Sequence, residues 1–110
     1  MVFKMNNRVW EIIEKPLKKI QEIYKQRAEE DPPYLFGLSV IGEHIIYLNN
    51  EICDDKKRQT LLHELMHCYK TEYISTSIDK IDEEMLCDIS ANSHDIIHEI
   101  VEEYFKGGEK

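Results

Sequence analysis

Apolar positions in this chain change period several times, and each change marks an element. Val2 to Met5 and Val9 to Ile13 are β-prone runs on either side of Asn6-Asn7-Arg8. Asparagine tolerates the left-handed backbone of a tight turn, so a hairpin is expected there. Pro16 would cost about 3 kcal/mol inside a helix but suits a first turn. Leu17, Ile20, Ile23, Tyr24 and Ala28 then form one helical stripe, which stops before Asp31-Pro32-Pro33. Leu35 to Ile41 and His44 to Leu48 read as a second hairpin across Gly42-Glu43, a two-residue connection with glycine first. Asp54 or Asp55 can cap the next helix, in which Leu61, Leu62, Leu65, Met66 and Tyr69 give a buried face. Thr71 to Ser77 reads as a polar loop. A last helix starts at Asp79 or Asp82, carries Met85, Ile89, Ile96, Ile97, Ile100, Val101 and Tyr104 on its apolar stripe, and ends at Gly107-Gly108. The predicted class is α+β, in the order β-β-α-β-β-α-α.

The helix with the second of these buried faces also holds the chemistry. In His63-Glu64-Leu65-Met66-His67 two histidines four apart leave one helix face a turn from each other, close enough to share one ion at roughly 2.0 to 2.1 Å per nitrogen. Glu64 points to one side of them. There it can deprotonate a metal-activated water without being a ligand. Two histidines alone do not make a stable zinc site, so a third protein ligand is needed, with a fourth position left for water.

Asp82-Glu83-Glu84 is the place to look for it. Glu84 and Asp88 are four apart and project from one face, so Glu84 would bind the metal and Asp88 would accept a hydrogen bond from a coordinated histidine. The competing reading of this run is an acidic first turn that complements the helix dipole. His94 and His98 repeat the four-residue spacing but flank an apolar stripe more than two turns beyond Glu84, which makes them partly buried or surface histidines. His44 has no partner at ligand spacing and is read as structural.

Composition narrows the partners. With 110 residues the chain is expected to be one domain, 1–110, whose core is too small for a lobe on each side of a deep cleft. The formal charge of -8 and the lack of a basic stripe argue against nucleic acid. No apolar run reaches bilayer length, and the first residues are too polar for a signal peptide, so no membrane partner and a cytoplasmic location are expected. Cys53, Cys68 and Cys87, an odd number without a C-x-x-C pair, fit reduced thiols with packing roles. A thiolate on the metal from Cys68 or Cys87 is the minor alternative.

Taken together, Ile45 to Asn49, Arg58 to His67 and Glu83 to Asp88 resemble the gluzincin branch of zinc metallopeptidases, and within it the small ImmA/IrrE-like proteins of phages and other mobile elements of Gram-positive bacteria. The resemblance implies His63, His67 and Glu84 as Zn2+ ligands, Glu64 as general base and Asp88 as the carboxylate behind a ligand. Two departures stand out: Met66 replaces the usual glycine before the second histidine, and Cys87 stands where a small residue is common. The resemblance also implies a minimal zincin-like domain, a small antiparallel sheet packed on helices with the metal between the last two. An extended peptide substrate would pair with an edge strand at 44–48. The expected function is a zinc-dependent metallo-endopeptidase in a bacterial host cell, acting on a regulatory protein of a mobile element. The alternative is a metal-stabilised protein-binding module without proteolytic activity. Tyr69, Tyr73 and His98 are the candidates for an oxyanion donor.

Overall fold

The computed structural model describes the backbone of residues 1–74 and 83–107, and the side chains of 1–74 and 90–106. Strands β1 (Val2–Met5) and β2 (Arg8–Lys15) form the first hairpin, with Asn6 and Asn7 at φ 52° and 63°. That is the left-handed pair a tight two-residue turn demands. Helix α1 (Leu17–Ala28) begins after Pro16 and ends on Glu29 at φ 56°. Strand β3 (Gly37–Val40), a short 3-10 turn (Ile41–Glu43) and strand β4 (Ile45–Asn49) follow, then helices α2 (Asp54–Tyr73) and α3 (Glu83–Gly107).

The sheet is mixed, in the order β1-β2-β4-β3. The expected all-antiparallel sheet is therefore corrected. The connection from β2 to β4 runs through α1 and then the outer strand β3; β3 turns back into β4 as an antiparallel hairpin, and this long connection gives β4 the room to lie parallel to β2. The same connection puts β4 beside β2 and pushes its hairpin partner β3 to the outside. Strand 44–48 is thus not an edge, as the sequence suggested; β3 is.

Three local expectations also change. The second hairpin does not turn on Gly42, since no described glycine has a positive φ; His44 takes the left-handed position at φ 56° instead. The first turn of α2 starts at Cys53 without a side-chain cap, although Asp54 and Asp55 still lie in it. Thr71 to Tyr73 continue α2 where a loop was expected.

Alternation sorts the sheet faces. Phe3, Met5, Trp10, Ile12, Ile46 and Leu48 face Leu61, Leu65, Cys68 and Tyr69 of α2 and Ile97, Ile100 and Val101 of α3 in one buried cluster. α1 packs against β3 and β4 and buries Ile20 apart from that cluster. Leu62, expected inside, is exposed. Glu14 on β2 ties the layers together by accepting hydrogen bonds from Lys57 of α2, at 2.8 Å, and from Tyr104 of α3.

Candidate metal and catalytic site

β3 decides what α2 can present. Its residues facing the helix are Gly37 and Ser39, and a Cβ on Gly37 would lie 2.7 Å from Thr60 Cγ2 and 3.3 Å from Glu64 Cγ. A side chain there would hold the edge strand off the helix. Because both positions are small, Glu64 slides beneath β3 and becomes buried at 8% exposure. Ser39 Oγ donates to Glu64 Oε1 at 2.8 Å, which fixes one carboxylate oxygen and leaves the other free of any protein donor among the described residues.

His63 and His67 sit beside this carboxylate on the exposed side of α2. Their Nε2 atoms are 3.3 Å apart and their rings are nearly perpendicular, at 77°. Two nitrogens each roughly 2.0 to 2.1 Å from a tetrahedral ion are separated by about 3.3 to 3.4 Å, so the pair has the bite of a zinc chelate. The same distance also allows one neutral ring to donate to the other. Among the described residues no group of three or more histidine, cysteine or acidic side chains comes together as metal ligands. Glu84 and Asp88 belong to the first turns of α3, but their side chains lie outside the described residues, as does that of Cys87.

The other candidates separate cleanly. Cys68 is fully buried in the core; burial, reinforced by the charge of Glu64, pushes its thiol up to about 12, so it is a neutral packing group. Tyr73 lies nine residues, two and a half turns, beyond Glu64, where its hydroxyl accepts the Asn6 N–H at 2.8 Å. Tyr69 is buried against it, with ring centroids 4.8 Å apart. Tyr73 serves the junction between the first hairpin and the end of α2, while Tyr69 packs in the core. Arg8 strengthens the same junction through Glu72, whose Oε2 lies 3.0 Å from its Nε. His98 is exposed, with Glu102 Oε1 3.9 Å from its Nε2. His44 packs its ring on Trp10 at 4.6 Å, the structural role expected of it.

A groove between α2 and β3 runs along this site in two parts that meet at Glu64. One, of about 500 Å³, is lined by Tyr34, Phe36, Lys56, Gln59, Thr60 and His63. The other, of about 430 Å³, is lined by Ser39, Ile41, His67, Lys70 and Thr71. Sequence reasoning missed Gly37 and Ser39. The available signal was two small residues at alternate positions of a short strand, a pattern that lets a second element approach closely.

No protein-family model matches the chain, and comparisons with curated proteins and with solved structures also returned no match.

Proposed function

We propose that this protein is a zinc-dependent endopeptidase, with His63, His67 and Glu84 holding the ion, Asp88 behind a ligand and Glu64 as the base. The observation that carries the reading is the combination of two Nε2 atoms at chelate separation with a buried carboxylate aimed into the same groove. A zinc ion held by these residues would supply Lewis acidity toward a carbonyl and toward water near neutral pH. Glu64 supplies what the ion does not. Its free oxygen accepts a proton as water adds to the scissile carbonyl carbon, and returns that proton to the nitrogen as the C–N bond breaks. Ser39 keeps the carboxylate pointed at the groove throughout.

The edge of β3 gives an extended peptide a row of backbone partners directly above Glu64, so a substrate can be held without a deep pocket. A regulator of a mobile element inside a bacterial cell is the target that the resemblance favours. Among the described residues no helix is long and apolar enough to cross a membrane. The test is to incubate the zinc-loaded protein with a complex peptide library and identify new termini by mass spectrometry. New termini that vanish on chelation and with Glu64→Gln support the reading. Peptides retained uncut, equally by wild type and Glu64→Gln, would favour the binding module.

A further inference from the structure

The two halves of the groove differ in what they present: an aromatic pair on one side of Glu64 and Lys70 without an aromatic ring on the other. On one side of Glu64, Tyr34 and Phe36 expose an edge-to-face pair with centroids 5.0 Å apart, although large apolar side chains are usually covered. This wall is held in place from behind. Buried Asn49 donates from its side chain to the Leu35 carbonyl at 3.1 Å and from its backbone to the Phe36 carbonyl at 2.9 Å. The Lys56 ammonium stands 4.3 Å from the Phe36 ring centroid, so the seat combines π faces with a cation.

On the other side there is no aromatic ring: Leu38 and Ile41 line it with Ser39, His67, Thr71 and Lys70, which is exposed and unpaired with any carboxylate among the described residues. Lys70 lies six residues beyond Glu64 on α2, about 9 Å along the axis. An extended peptide covers that span in about three residues. The chain is acidic overall, at -8, but exposed charges farther off than about 8 to 10 Å are screened; Lys56 is held over the Phe36 ring and donates to Gln59 Oε1 at 3.3 Å, so Lys70 sets the local charge preference.

We propose that the groove selects an extended peptide with an aromatic side chain next to the scissile bond, seated against Tyr34 and Phe36, and an acidic side chain about three residues away toward Lys70. The proposal rests on the peptidase reading and names its substrate class. The aromatic ring supplies most of the binding, because it buries the largest apolar surface, and the carboxylate sets the direction in which the peptide lies.

The test uses zinc-loaded Glu64→Gln protein and fluorescein-labelled peptides of about eight residues, read by fluorescence polarisation so that binding is measured apart from cleavage. Four peptides suffice: aromatic with acidic, aromatic with basic, alanine with acidic, and aromatic with acidic in reversed order. The first should bind about tenfold or more tighter than the alanine peptide, and about three- to tenfold tighter than the basic and reversed ones. Lys70→Glu should invert the acidic-over-basic preference, and this exposed change leaves the core untouched. Phe36→Ala should remove the aromatic preference while circular dichroism stays unchanged. Equal binding of all four, or preference for the basic peptide, overturns the selectivity but leaves the peptidase reading standing. If none binds and the wild-type protein also cuts no library peptide, both fail together.

Discussion

Two histidine pairs in this molecule share the same spacing on exposed helix faces but differ in ring geometry and surroundings. His63 and His67 on α2 turn their Nε2 atoms to within 3.3 Å at a steep interplanar angle, beside a buried carboxylate and under an edge strand. His94 and His98 on α3 lie stacked at 7° with centroids 5.5 Å apart, flanked by exposed Asp95 and Glu102, with neither described pocket reaching them. Four-residue spacing therefore supplies only the opportunity for a chelate. Ring orientation and what packs behind the helix turn it into a candidate site, and at α2 the decisive neighbour is β3.

The sharpest way to break the comparison is at Glu64. Glu64→Gln should leave fold and zinc content intact while peptide hydrolysis falls by about two to four orders of magnitude, measured as kcat/KM on a cleaved library peptide. The same exchange at Glu102, beside His98, should leave turnover unchanged. The third ligand comes next. Zinc titrations should show loss of tight binding with Glu84→Ala, weakening of about 10- to 100-fold with Asp88→Ala, and little effect with Glu83→Ala. If Glu83→Ala is the variant that loses zinc, the helix phase assigned to Glu84 and Asp88 is wrong.

A smaller effect tests β3 itself. Gly37→Val should force the strand away from Thr60 and Glu64, lower stability by about 1 to 3 kcal/mol in denaturant melts and reduce activity with it. Wild-type stability in that variant would mean that the strand can shift freely, removing the reason for Glu64's burial. The smallest is a pH effect away from both pairs. Burial alone would raise the Glu14 carboxyl, but hydrogen bonds from Lys57 and Tyr104 outweigh it and hold its pKa below the ordinary 4.5. A depressed carboxylate contributes stability that is present above its unfolded-state pKa and lost as pH falls through the folded one. Melting temperature should therefore drop below about pH 4.5, and Glu14→Gln should flatten that decline.

Much of the fold could be read from local chemistry. Pro16 separates β2 from α1, Asn6-Asn7 makes the first turn, and the apolar stripe through Ile97, Ile100 and Val101 marks the buried face of α3. What escaped was set by contacts between distant segments. Nothing near His44 to Leu48 reveals that a crossover places this strand inside the sheet, and Gly37 looks like an ordinary strand-end glycine until Thr60 is seen against it. At the site, the spacing singled out His63, Glu64 and His67. Ser39, which orients Glu64, is 25 residues away in sequence and visible only once β3 lies over α2.

Metal content tests the central claim most directly. Protein purified without chelator, or refolded with zinc present, should contain one zinc per chain by elemental analysis. His63→Ala/His67→Ala should contain none, and His94→Ala/His98→Ala should keep the full amount. Zinc absent from the wild-type protein, or lost with the α3 pair and retained without the α2 pair, would contradict the assignment of the site to His63 and His67.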